Sequence, residues 1–133
     1  MAVFIHPDPG DLLMCDFSGF KPPEMTKKRP VVVISPRTRR GIQLCTVVPL
    51  STVEPKPMLP CHYKLSPESL PECFKDNPNW AKCDLLYTVA LNRLDRIYAG
   101  RAKDNQRIYI IGHVSDDDLI GIRNAVGTWL QLK

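Results

Sequence analysis

Residues 26–36 read TKKRPVVVISP: three consecutive cations, a proline, four β-branched residues in a row, then Ser35 and a second proline. The run from Val31 to Ile34 is apolar at every position. A strand with one wet face alternates, so this one belongs inside a sheet or small barrel with both faces covered. Proline is tolerated at the first position of a strand, where its missing N–H spoils no ladder bond, and the strand is therefore expected to open at Pro30. Proline also drives the residue before it into extended backbone, which fixes where the Arg29 side chain leaves the chain.

Upstream, Pro9-Gly10 marks a turn and LLMCDF (12–17) reads as a first strand, followed by the loop SGFKPPEMTKKR (18–29). Downstream, PRTRRG (36–41) is a cationic turn and IQLCTVVPL (42–50) a third strand. An irregular loop, STVEPKPMLP (51–60), leads to a short strand at CHYKL (61–65). The proline-rich SPESLPECFKDNPNW (66–80) is expected to be a surface insertion. CDLLYTVAL (83–91) is the next strand candidate, although LLYTVALNRL also suits a helix start, and RIYII (107–111) is a weaker strand. All 13 prolines precede Asn79, which favours strands and turns over helices in that part. The end differs: Ser115 followed by three aspartates is a capping start, and Leu119, Ile122, Val126, Trp129 and Leu130 recur at helical spacing. Gly121 and Gly127 weaken that helix, so packing must hold it. The pattern predicts one mainly β, barrel-like domain with a C-terminal helix, and there is no internal repeat.

The 133 residues suffice for a single core, and 44% hydrophobic with 24% charged residues is globular composition. No apolar run approaches the ~18 residues of a membrane span, and MAVFIHPDPG lacks the layout of a signal peptide, so a cytoplasmic protein is expected. Residues 21–40 hold seven of the 18 Lys and Arg (Lys21, Lys27, Lys28, Arg29, Arg37, Arg39, Arg40) against one acid, Glu24. Such a patch on a near-neutral body suits a polyanion, or equally a solvated loop. Five cysteines without a CxxC pair fit reduced thiols. A zinc site from Cys61, His62, Cys73 and Cys83 would lack the usual ligand-pair spacing, so no metal is expected.

His6, His62 and His113 are scattered, and no phosphate-binding glycine loop, HExxH or GxSxG occurs. What remains is Arg29, at the mouth of one strand, and Ser51, at the end of another. An arginine is a permanent planar cation suited to phosphate oxygens, and a hydroxyl supplies one donor and two acceptor lone pairs.

These residues, in this order, resemble the PemK/MazF family of toxin endoribonucleases. The resemblance is carried by GDLLMCDF (10–17), KRPVVVIS (28–35), VVPLST (47–52) and the later Asp84…Thr88-Val89…Arg93-Leu94. It implies an SH3-like β-barrel, a homodimer, and metal-independent, sequence-selective cutting of single-stranded RNA without a cofactor. It also implies a separately encoded antitoxin partner. Arg29 matches the catalytic arginine and Ser51 the catalytic hydroxyl residue, usually a threonine. Glu24 falls in the loop where some members place an acidic active-site residue. Lys27, Lys28, Arg37, Arg39 and Arg40 would then track the RNA backbone. Phe20 or Tyr63 would either stack a base or pack in the core. Two other readings use the same fold, a binding module without cleavage and a gyrase poison. The latter typically ends in Trp-Gly-Ile, whereas this chain ends TWLQLK.

Overall fold

The computed structural model describes residues 6–37 and 43–132. Ten strands precede one helix: β1 (Asp11–Asp16), β2 (Lys28–Val33), β3 (Leu44–Ser51), β4 (His62–Lys64), β5 (Trp80–Lys82), β6 (Tyr87–Ala90), β7 (Leu94–Asp95), β8 (Ile97–Arg101), β9 (Arg107–Ile110), β10 (Gly112–His113) and α1 (Asp116–Trp129). The main sheet runs β10-β1-β2-β3-β5-β4, with β6 also on β3 and β7 also on β1, while β8 and β9 form a separate hairpin. All of these pairings are antiparallel. The outcome is the expected mostly β architecture, a half-barrel with a single C-terminal helix.

The apolar run in β2 behaves as its composition requires. Val31, Val32 and Val33 are all fully buried, but on opposite faces. Val32 packs with Leu12, Val48 and Leu50 beneath Ile122, Ala125 and Val126 of α1. Val31 and Val33 pack with Leu13, Cys15, Phe17, Val47, Val89 and Leu94 on the other side. Two apolar layers on one sheet explain why this strand shows no alternation.

β2 starts earlier than its proline suggests. Lys28 and Arg29 already pair with Asp16 and Cys15 of β1, so Pro30 lies inside the strand, opposite Met14. The ladder to β3 begins only at Val31, which pairs with Pro49. Among the described residues, Lys28, Arg29 and Pro30 thus have a strand on one side alone, where a residue without an N–H is accepted.

The proline-rich segment 66–80 has an exposed outer side, but Ser69, Leu70, Asn79 and Trp80 are buried. Trp80 opens β5, a strand the composition hides, and pairs with Ser51. The stretch after Cys83 is a turn closed by Leu85 N–H on the Lys82 carbonyl at 3.0 Å, so the β6 strand is shorter than expected. Residues Leu91–Arg93 form a 3-10 turn, not a helix.

The helix begins as expected, with Ser115 Oγ accepting the Asp118 N–H at 3.1 Å. Asp118 itself is buried and ties the helix to residues 63–69. It accepts from Tyr63 Oη at 2.7 Å, Ser66 N at 2.9 Å, Ser66 Oγ at 2.7 Å and the Ser69 hydroxyl. Burial pushes the Asp118 carboxyl up, but the hydrogen bonds from Ser69, Tyr63 and Ser66 outweigh it and hold the group below its ordinary range. Gly121 is what lets Tyr63 lie against α1, since a Cβ there would stand 2.1 Å from Tyr63 Cε1.

Candidate active site

Arg29 and Ser51 each lie two residues beyond the last β2–β3 pair. The ladder runs Val33↔Val47, Val32↔Val48 and Val31↔Pro49, after which Arg29 stays paired with Cys15 of β1 and Ser51 pairs with Trp80 of β5. Alternation puts both on the face of Val31, Val33 and Val47. The formal ladder ends at Val31↔Pro49, so the two residues stand at the lips of a mouth where β2 and β3 no longer pair.

Arg29 is exposed and Ser51 half-buried. Ser51 Oγ accepts the Val53 N–H at 3.1 Å, a local turn that leaves the hydroxyl proton and one lone pair for another partner. Among the described residues no carboxylate pairs with Arg29.

The loop before β2 folds over the same face. Phe20 and Met25 pack against its apolar layer, and Met25 N–H donates to Tyr87 Oη at 2.9 Å. Arg93 fastens the start of the loop by donating to the carbonyls of Asp16 (2.9 Å) and Ser18 (2.8 Å) and lying over the Phe20 ring at 4.7 Å. Lys27 and Lys28, both exposed, therefore continue the lip that carries Arg29. Asp16, opposite Lys28, is held below its ordinary carboxylate range by the Ser18 N–H and hydroxyl, with Lys28 and Arg93 adding to the effect.

Arg37 is not part of this lip. At ~3.3 Å per residue the extended run from Arg29 to Ser35 covers about 20 Å, so Arg37 lies toward the far end of β2. There its guanidinium is paired with Asp8 through Nε at 3.1 Å and Nη2 at 3.2 Å. Arg39 and Arg40 fall outside the described residues. Among the described residues, the strand thus separates Arg37 from Lys27, Lys28 and Arg29, its neighbours in the patch. Glu24 is exposed and closes its own turn, with Oε1 accepting the Lys21 N–H at 3.1 Å. Phe20 sits among Phe17, Tyr87 and Arg93, and Tyr63 is bound to Asp118, so packing occupies both aromatics.

Sulfur and imidazole meet elsewhere. The ligand atoms of Cys61, His62 and Asp84 lie within 4.8 Å of one another, because Cys61 precedes β4 and escapes strand alternation. Cys73, by contrast, is exposed on the 66–80 segment. His62 Nδ1 accepts the Leu59 N–H at 3.1 Å, which places the ring proton on Nε2, 3.6 Å from the otherwise unpartnered Asp84 Oδ1. Burial and Asp84 push the Cys61 thiol up, so it keeps its proton. This donor set suits a His–Asp pair beside a thiol better than a cation. Burial likewise pushes Cys15 and Cys83 to about 12 and Cys45 to about 11, so none is a thiolate nucleophile.

The family of PemK-like, MazF-like toxins of type II toxin-antitoxin systems matches residues 8–130, the stretch that holds the mouth, both apolar layers and the helix. The chain belongs to this family. A relative, the YifN protein of Escherichia coli (strain K12), is 31% identical over 126 residues, covering 80% of this chain and 83% of its own. Among solved structures, an endoribonuclease from a mycobacterial species superposes with a TM-score of 0.64 at 19% identity, covering 98% of this chain and 97% of that one. MazF from Deinococcus radiodurans gives 0.65 at 18% identity, with 95% and 97% covered. A mycobacterial endoribonuclease in complex with its cognate antitoxin gives 0.66 at 18% identity, with 96% and 98% covered.

The PemK/MazF elements quoted from the sequence acquire physical roles in this fold. Thr88 Oγ1 meets Thr46 Oγ1 at 2.9 Å across β3 and β6, and Arg93 is the clamp on the loop described above. Sequence reasoning gave Arg93 no role, although it stands in a quoted family element. It also passed over Thr52, Asp76 and Asn77, which line a cavity beside the mouth. No sequence pattern joins these three. Among the described residues no helix is long and apolar enough to cross a membrane.

Proposed function

We propose that this chain is an endoribonuclease toxin that cuts single-stranded RNA sequence-selectively and without a metal ion. The observation that supports the reading is that Arg29 and Ser51 both lie just past the end of the β2–β3 ladder, on the face that strand alternation gives to Val31 and Val47. Lys27 and Lys28 continue the cationic rim for the adjoining phosphates.

In the proposed reaction a ribose 2′-oxygen forms a bond to the adjacent phosphorus while the P–O5′ bond breaks. The products are a 2′,3′-cyclic phosphate and a 5′-hydroxyl end, the departing 5′-oxygen taking its proton from solvent water. The Arg29 guanidinium stabilises the crowded dianionic phosphorane and keeps its own proton, since its pKa exceeds ~12. One preorganised donor of this kind is worth about 10²–10³ in rate. Ser51 holds a non-bridging oxygen with the hydroxyl proton that the Val53 contact leaves free. Glu24 is the carboxylate proposed to take the 2′-OH proton. For that role it would swing from the turn it closes with Lys21. The family membership further supports a homodimer, a separately encoded antitoxin partner and a cytoplasmic location as parts of this proposal.

The test is incubation of a mixed-sequence single-stranded RNA in excess EDTA, with both new ends mapped chemically. Discrete cuts with cyclic-phosphate termini that disappear in Arg29→Ala are expected. Cutting that needs added divalent metal, or an R29A variant as fast as the parent, would refute the assignment.

A further inference from the structure

Beside the mouth lies a cavity of about 260 Å³, lined by Met14, Pro30 and Thr52 on the sheet side and by Phe74, Asp76, Asn77 and others of the 66–80 segment opposite. Pro30 follows Arg29 and Thr52 follows Ser51, so the cavity begins one residue (about 3.8 Å of backbone) from each side chain proposed to hold the phosphate. Alternation turns Pro30 to the other sheet face, and Thr52, in the bend after β3, lines the same cavity, so a nucleotide crossing the rim has its phosphate on one side and its base on the other.

We propose that this cavity receives one unstacked nucleobase next to the scissile phosphate, and that it selects a base with an exocyclic amino group over uracil. The inference rests on the nuclease reading above and specifies what sets its sequence preference. The volume lies just under the ~300 Å³ at which drug-sized ligand sites begin, a size suited to a single planar heterocycle. Met14 and Phe74, both half-buried, give it apolar walls for a ring face. Its polar groups are the Asn77 and Asn79 amides, the Asp76 carboxylate and the Thr52 hydroxyl, the chemistry that reads base edges. Asn79 is 3% exposed, and its Nδ2 donates to the Asn77 carbonyl at 3.3 Å, which fixes that edge of the pocket. Asp76, exposed on the rim, accepts hydrogen bonds only. The exocyclic amino group of adenine, cytosine or guanine offers it two N–H donors, whereas uracil offers only N3–H, flanked by two carbonyl oxygens that a carboxylate repels.

The cavity supplies its own probe. Cys73 lines it and is exposed, whereas Cys15, Cys45, Cys61 and Cys83 are buried, so iodoacetamide should mark Cys73 first. The preferred RNA, with a 2′-deoxy nucleotide at the cut position to block cleavage, is expected to slow this labelling at least 5-fold. The same oligonucleotide with that base removed should protect far less. Asn77→Ala and Asp76→Ala, both at exposed positions, should each reduce discrimination against uracil at the neighbouring position by about 5- to 100-fold. Cys73 labelling that RNA leaves unchanged, an unaltered base preference in both variants, or a parent preferring uracil on both sides of the cut would overturn the proposal. If a random RNA pool protects Cys73 but is never cut, the nuclease reading fails and the pocket stands. If RNA is cut while Cys73 reacts freely, the pocket fails and the nuclease stands.

Discussion

Replacing Gly121 by alanine should destabilise the protein, against the ordinary direction for an exposed helix. Alanine for glycine inside a helix normally gains up to about 1 kcal/mol. Here the added Cβ would lie 2.1 Å from Tyr63 Cε1, 2.5 Å from Cζ and 2.8 Å from Oη. Carbon atoms settle near 3.5–4.0 Å, so the ring must retreat by at least ~1.4 Å. It cannot do so freely, because its hydroxyl donates to Asp118 at 2.7 Å. Forcing a methyl group into a packed site costs about 1–3 kcal/mol, and losing a hydrogen bond to a charged group costs about 1.5–3 kcal/mol. Net of the helical gain, about 3 kcal/mol should be lost, equivalent to a fall in Tm on the order of 10 °C for a chain of this size. Thermal and urea unfolding of the parent, G121A, Y63A and the double variant would measure it. In the Y63A background the clash is gone and G121A should become neutral or stabilising. A G121A variant as stable as the parent, or the same penalty with and without the Tyr63 ring, would refute the reasoning.

Three further outcomes follow from the mouth and from the Asp118 cluster. RNA binding by Lys27→Ala/Lys28→Ala should depend less on salt, the slope of log K against log[salt] falling by about 0.7 per cation removed, whereas Arg37→Ala, already paired with Asp8 far along β2, should change it less; equal effects would mean the two ends of β2 serve one binding track. Ser51→Thr should keep the cleavage products and alter chiefly the rate, while Ser51→Ala should lose about 10²-fold or more in kcat; retained activity in S51A would move the hydroxyl role elsewhere. Because hydrogen bonds hold folded Asp118 below its ordinary range, its contribution is complete above the unfolded value near 4 and is lost as pH falls through the folded one; D118N, less stable at pH 7, should show a flatter acid limb in urea titrations, and an acid limb parallel to the parent's would contradict the assignment.

What sequence alone conveyed can be weighed residue by residue. The buried run Val31–Val33 and the capped helix at Ser115 were legible because each obeys a local rule, covered-strand composition in one case and cap chemistry in the other. The start of β2 was not legible. Proline's local preference pointed to Pro30, but pairing with β1 extends the strand to Lys28, and a partner strand leaves no local mark. Trp80–Lys82 and Ile97–Arg101 were missed for the same reason, as short strands whose stability comes from their neighbours. Gly121 read as a weak point in a helix, whereas its role is clearance for a ring 58 positions earlier. Of the proposed site, Arg29 and Ser51 were singled out through family likeness, while the end of the β2–β3 ladder two residues short of both left no mark in the sequence. The separation of Arg37 from Lys27, Lys28 and Arg29 was invisible, because sequence adjacency says nothing of the length of strand lying between charges.

The open half-edge of β2 bears on how copies of this protein behave toward one another. Among the described residues, Lys28, Arg29 and Pro30 lack a strand partner on one side, and an unpaired strand edge invites pairing with another chain. Here that edge presents two charges and a residue without an N–H, the features that discourage such addition. Removing Lys28 or Pro30 to probe RNA handling would therefore also lower the barrier to self-association, and colloidal behaviour should be followed alongside activity in any variant of this lip. The residues proposed to meet phosphate thus also act as gatekeepers against aggregation, which ties solubility to catalysis at a single strand.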